Sequence, residues 1–301
     1  MNCNVLFLFF ISFIFVNSKL DNCNILSLSG GGSFGAVELG ILEKLDNKNY
    51  DLISGISVGA LNACYLSYYD NNNFTTGLDN LKDIYINLKN DDIYVPNFHF
   101  NYKNISKIGF YDTTPLHNTI NKILSKFNYK NLITSLIGST NLNNGNLDIF
   151  NLDNYTNKEQ TELLMTSSAI PLVFPPRIWN NNIYVDGGVV TNSILNGLDG
   201  FIDCKFYNIT YISSSDKLSI VDNIDNLETL IKRLVEVINS DFNNELSEFI
   251  NINCKYPRGK INYCFPDNEK LKNYSILDFT KGKELINIGR NYHHCIKINY
   301  C

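Results

Sequence analysis

The chain has 301 residues, enough for one large α/β domain with a substantial core or for two small ones. At 44 % hydrophobic and 18 % charged it is no disordered segment. A net charge of −5 with no basic stripe leaves no electrostatic footprint for a nucleic-acid partner.

Residues 5–16 read VLFLFFISFIFV, with Ser12 as the only polar side chain. Small residues follow at Val16 and Ser18, the −3 and −1 positions of a cleavage site. The stretch is short for a membrane span and reads as a secretory signal peptide, the alternative being an uncleaved signal anchor. Residues 1–18 are therefore set apart, and residues 19–301 read as a single domain. Residues 24–29 form an apolar run ending in glycines, a buried strand. Residues 36–45 have helical spacing, 51–54 make a second short strand, and 58–69 an apolar helix. This strand–loop–helix alternation predicts a parallel sheet covered by helices.

Further on, residues 78–88 read as a helix, and 93–110 are aromatic without clear periodicity. Thr114 as N-cap with Pro115 at the first helical position opens a helix over 116–124. Residues 132–140 and 147–152 read as strands joined by the turn Asn144-Gly145. A helix follows at 158–168, with strands at 183–185 and 206–212. Residues 227–238, 245–250 and 280–292 read as helices, Thr280 capping the last. Asparagine fills many of the loops, 47 residues in all, and Asn suits turns. Without Cys3 seven cysteines remain, four of them in the last 50 residues, which predicts a disulfide-stapled C-terminal region. Cys64, on the apolar helix, is the candidate for the unpaired one.

Three glycine-bearing features carry chemistry. Gly30, Gly31, Gly32 and Gly35 lie in SGGGSFG, after a strand and before a helix. Such a loop can be a structural turn, a dinucleotide site, or a cradle of backbone N–H groups for a phosphate or an oxyanion. Gly55-Ile56-Ser57-Val58-Gly59 sits between a strand and a helix, the context of a nucleophile elbow that exposes a serine hydroxyl. Asp186-Gly187-Gly188 follows a strand. Alone it reads as an ordinary Asp-Gly turn, but its carboxylate could also reach a serine hydroxyl. Serine hydrolases normally use a histidine base. None of His99, His117, His293 and His294 has an adjacent motif suited to that task, and the last two read as residues of the closing helix.

In this order the three features resemble the patatin-like phospholipases, whose pattern is G-G-G-x-x-G, then G-x-S-x-G, then D-G-G. The block Ser167-Ser168-Ala169-Ile170-Pro171, Phe174-Pro175-Pro176, Tyr184-Val185-Asp186-Gly187-Gly188-Val189 and Asn192 is similar to theirs, as is the ending Leu277-Asp278-Phe279-Thr280. The likeness runs over roughly residues 22–295. It implies an α/β fold, a three-layer α/β/α sandwich with a mainly parallel central sheet. It also implies a lipid acyl hydrolase with Ser57 as nucleophile, Asp186 as base, and Gly30, Gly31 and Gly32 as oxyanion donors. Gly35, Gly55, Gly59, Gly187 and Gly188 support the motifs, and no metal or cofactor is implied. Where many members carry Arg or Lys in the loop, this chain has Phe34. The implied partner is a phospholipid or another acyl lipid, with peripheral membrane contact and the secretory pathway or the exterior as location. The aromatic stretch 93–110 either lines or covers an acyl pocket or is ordinary core. A catalytically silent lipid-binding relative is the alternative function.

Overall fold

A computed structural model describes residues 20–46, 48–99, 101, 103–104, 107–128, 130–215, 230, 233, 237 and 259–300. The signal-peptide reading of residues 1–18, most of the two helices expected over 227–250, Cys254 and Cys301 lie outside these residues.

The centre is a run of parallel strands: β1 (Cys23–Leu28), β2 (Leu52–Ile56), β5 (Thr134–Asn141), β9 (Tyr207–Ile212) and β10 (Gly259–Pro266), in the order β10-β9-β1-β2-β5. Antiparallel strands finish it. β11 (His293–Tyr300) lies beside β10, β6 (Leu147–Asn151) pairs with β5, and β8 (Asn182–Asp186) joins β5 to β7 (Arg177–Trp179). A two-residue ribbon, β3 (Val95–Pro96) with β4 (Tyr111–Asp112), stands apart. The parallel strands are apolar on both faces because both are covered. Along β1, Leu26 and Leu28 enter one core while Cys23 and Ile25 enter another. The first core takes residues from α1 (Gly35–Lys44), α2 (Val58–Ser67), α3 (Phe74–Asn87), α4 (Thr114–Leu124), α5 (Asn157–Ser167) and α6 (Gly282–Asn291). On the other face the described cover is the segment 194–204, whose Ile194, Leu195 and Leu198 meet Ile25, Leu52 and Ile209.

The mostly parallel α/β architecture is as expected from the motif order, and several boundaries move. Thr113, not Thr114, caps α4, and the Asp112 carboxylate takes the Thr114 N–H at 2.7 Å. Thr280 lies inside a short 3₁₀ turn whose cap is Asp278, and α6 starts two residues later. His293 and His294 are not helical; they open β11 opposite Pro266 and Phe265. The reason is tertiary, since Cys295 must sit beside Cys264 to form a disulfide. A second disulfide, Cys23–Cys204, ties the start of β1 to the approach of β9. Cys64 is free and buried, as expected.

Candidate active site

β2 ends at Ile56 and α2 begins at Val58, leaving Ser57 alone to make the turn. Its backbone has φ 54° and ψ −123°, a conformation costing a residue with a Cβ about 1–3 kcal/mol. The flanking glycines allow it. A Cβ on Gly55 would lie 2.1 Å from the Gly59 carbonyl oxygen, and one on Gly59 would lie 2.4 Å from that of Ser29. The turn is fixed from behind by Ser167, which accepts the Ser57 N–H at 2.9 Å and donates to the Gly138 carbonyl at 2.7 Å.

Strand register brings Asp186 to the same place. Gly138 of β5 pairs with Ile56, and the next residue, Ser139, pairs with Asp186. β6 occupies the other edge of β5, so β8 enters on the edge that β2 leaves as it turns at Ser57. Asp186 is held there by its own N–H to the Ala169 carbonyl at 2.9 Å and by the Thr140 hydroxyl, which donates to its carbonyl at 2.9 Å. One carboxylate oxygen, Oδ1, accepts the Gly188 N–H at 2.8 Å. The other, Oδ2, is buried without a hydrogen bond. Burial pushes the carboxyl up to about 6, against the opposing effects of the Ser57 hydroxyl and the Gly188 amide. The Ser57 hydroxyl thus lies close enough to lower the carboxyl's pKa, while Oδ2 has no hydrogen bond. Such contacts commonly tighten when substrate arrives.

The glycine loop corrects one expectation. The Gly30 N–H is not open to an oxyanion, because it donates to Asn192 Oδ1 at 2.8 Å. Among the described residues the N–H groups of Gly31 and Gly32 carry no hydrogen bond, and Gly32 lines the same cavity as Ser57. The loop is fastened by Ser33, whose N–H reaches the Ile276 carbonyl at 2.8 Å, and by the Ser214 hydroxyl on the Gly30 carbonyl at 2.6 Å. Phe34 is buried in the helical core, so its position presents no charge. Beneath the loop lies a carboxyl that the motifs did not reveal. Glu38 is fully buried, with Ser29 Oγ at 3.2 Å and the Asn62 side-chain amide donating at 3.0 Å. Tyr85 donates to Asn62 in turn at 2.7 Å. Burial holds the Glu38 carboxyl well above its ordinary range. Glu38 falls on a helix between apolar residues, and only a pattern of three polar residues on three separate helices could have signalled it.

From Ser57 and Gly32 a cavity of about 90 Å³ runs between α2, α3, α4 and α5. Leu61, Tyr65, Leu81, Ile120 and Leu164 wall it. Of the described residues in the stretch 93–110, Ile93 reaches this wall, while Phe98 and Phe110 are exposed. No histidine lines it. His117 is on α4, hydrogen-bonded to Glu162 at 2.8 Å, and His99 is exposed. β11, with His293 and His294, is four strands from β2, roughly 19 Å at the usual strand spacing. Among the described residues no group of three or more His, Cys, Asp or Glu is placed to hold a metal ion.

Comparison with known proteins adds three findings. VipD from Legionella pneumophila, a solved structure, is similar with a TM-score of 0.39 and 12 % identity, over 92 % of this chain and 68 % of that one. The uncharacterized protein R571 of Acanthamoeba polyphaga mimivirus is 27 % identical over 209 residues, 64 % of this chain and 66 % of that protein's length. The family profile named patatin-like phospholipase matches residues 26–199, a span holding the glycine loop, Ser57 and Asp186. That match covers more than half of the chain, and the protein belongs to the patatin-like phospholipase family.

Proposed function

We propose that this protein is a lipid acyl hydrolase working through a Ser57–Asp186 dyad. The observation that carries the reading is the open, buried Oδ2 of Asp186 beside a serine held in a strained turn at the mouth of an apolar cavity. An acyl chain lies in the cavity, with its ester carbonyl at Ser57. Ser57 Oγ attacks the carbonyl carbon and its proton passes to Asp186 Oδ2. The N–H groups of Gly31 and Gly32 receive the charge that develops on the carbonyl oxygen. Collapse expels the lipid alcohol, which takes the proton from Asp186. A water molecule then gives a proton to Asp186 and attacks the acyl-enzyme. The fatty acid leaves as the proton returns to Ser57. The carboxyl at about 6 is a stronger base than an ordinary aspartate, which suits it to work without a histidine.

Two disulfides among the described residues support an oxidising compartment, in keeping with the signal peptide read over residues 1–18 and with export or retention in the secretory lumen. No helix among the described residues is long and apolar enough to cross a membrane, and contact with lipid is peripheral in this reading.

The test is hydrolysis of phospholipid by purified protein, with labelling by a fluorophosphonate. Ser57→Ala loses both, and Asp186→Asn loses hydrolysis by about 10³-fold or more while keeping its fold. Near-normal turnover by a folded Asp186→Asn protein would remove the dyad.

A further inference from the structure

Fourteen large hydrophobic side chains are exposed among the described residues, and four of them lie on two adjoining segments. Phe98 (88 % exposed) and Phe110 (45 %) belong to the excursion between β3 and β4. Leu172 (52 %) and Ile178 (58 %) belong to the chain running from α5 into β7. The segments are stitched together, Phe110 N–H to the Leu172 carbonyl and Tyr111 N–H to the Val173 carbonyl, both at 3.0 Å. Ile178 shares a surface cleft with Asn97, His99 and Lys107, the first two being the chain neighbours of Phe98.

Leu172 is the informative member. Its φ is 66°, in the left-handed region where a branched side chain is costly. Among the described residues the other non-glycine positions with positive φ are Ser57, Asn180 and Asn181. A chain with 47 asparagines has the cheaper residue to hand and places a leucine here, pointing into solvent. Leu172 also sits between Ile170 and Phe174, both of which line the acyl cavity. Leu172 thus lies on the outer side of the cavity wall.

The charges fit a lipid surface. The chain as a whole carries −5, yet Lys103 and Lys107 are exposed on the same excursion as Phe98. Arg177 faces the carboxylates of Asp112 and Glu162 in the surface cleft, so the positive charge this surface offers comes from the two lysines. Aromatic and aliphatic tips flanked by lysines match the interface of a bilayer with negatively charged head groups.

We propose that the surface bearing Phe98, Phe110, Leu172 and Ile178 docks this protein onto an anionic phospholipid bilayer, with Lys103 and Lys107 against the head groups. The proposal rests on the hydrolase reading for its purpose, since docking here sets the cavity wall against the lipid that must enter. Its test does not depend on catalysis. Ser57→Ala protein is sedimented with phosphatidylcholine vesicles, with and without phosphatidylserine. Binding is expected to be stronger to the anionic vesicles and to weaken with salt. In that background Phe98→Asn lowers partitioning about tenfold, as does Leu172→Asn, a residue the backbone there accepts. Lys103→Gln combined with Lys107→Gln removes the preference for anionic vesicles and leaves the phosphatidylcholine level. Melting temperatures stay within a degree or so of the parent for these exposed positions. Undiminished partitioning of the Phe98→Asn/Leu172→Asn protein overturns the proposal. So does a parent that ignores vesicles but self-associates through the patch, seen as a change in gel-filtration volume on Phe98→Asn. A protein that docks but hydrolyses no lipid sinks the dyad and leaves the docking surface standing.

Discussion

Asp186 owes its basicity to burial, and that has two consequences of opposite sign. As a general base it must be ionised, so kcat/KM rises with pH through about 6 and levels off above it. A rate profile still climbing steeply only below pH 5, the range of an ordinary carboxylate, would contradict this. For stability the burial is a burden. The folded-state value of about 6 lies above the ordinary 3.8, so between them the folded chain keeps a proton the unfolded chain has lost. Stability therefore falls as pH rises from about 4 to 6, and the penalty, up to about 3 kcal/mol, persists above that. Asp186→Asn removes it. The variant is expected to melt higher than wild type at pH 8, with the advantage gone near pH 3.5. The identity of Ser57 and Asp186 as candidates was legible because each sits in a short glycine motif. The state of Gly30 was not, since its N–H is taken by Asn192, 162 residues away.

At the scale of elements, the site exists because β5 is a neighbour to two strands in turn. β2 leaves its edge at Ile56, and β8 arrives at the next register position carrying Asp186. The helices then decide what enters. Ile120 on α4 and Leu164 on α5 line the cavity that Ser57 and Gly32 open into. Ile120→Trp shortens the space and is expected to lower the ratio of kcat/KM for long against short acyl esters by about tenfold. The pH midpoint should not move, because Asp186 is untouched; an equal loss for all chain lengths would point instead to general damage. Helix and strand periodicity revealed most of these elements. It missed that Ile93 and Tyr94 pack inward while Phe98 and Phe110 face outward, since aromatic residues in a stretch without period do not say which side of a wall they occupy.

At the scale of the molecule, the sheet is closed at one end by covalent bonds. Cys264 and Cys295 lie on directly opposed residues of β10 and β11, closing a loop of 31 residues. Replacing both by serine should cost about 3–4 kcal/mol, measured as a lower urea midpoint without loss of Ser57 labelling in the protein that remains folded. If the stability is unchanged, packing of β11 suffices alone. By itself the sequence determined the family, the parallel α/β class and the candidates Ser57 and Asp186. Those depend on local patterns: glycines where backbones must touch, apolar runs where strands are covered twice, and a fixed order of short motifs. Only the tertiary structure decided which loop N–H groups stay open, how Glu38 is buried beneath them, and which aromatic residues wall the cavity rather than face solvent. Each of these depends on what lies opposite a residue across the core, and contacts between distant segments leave no spacing in the chain to read.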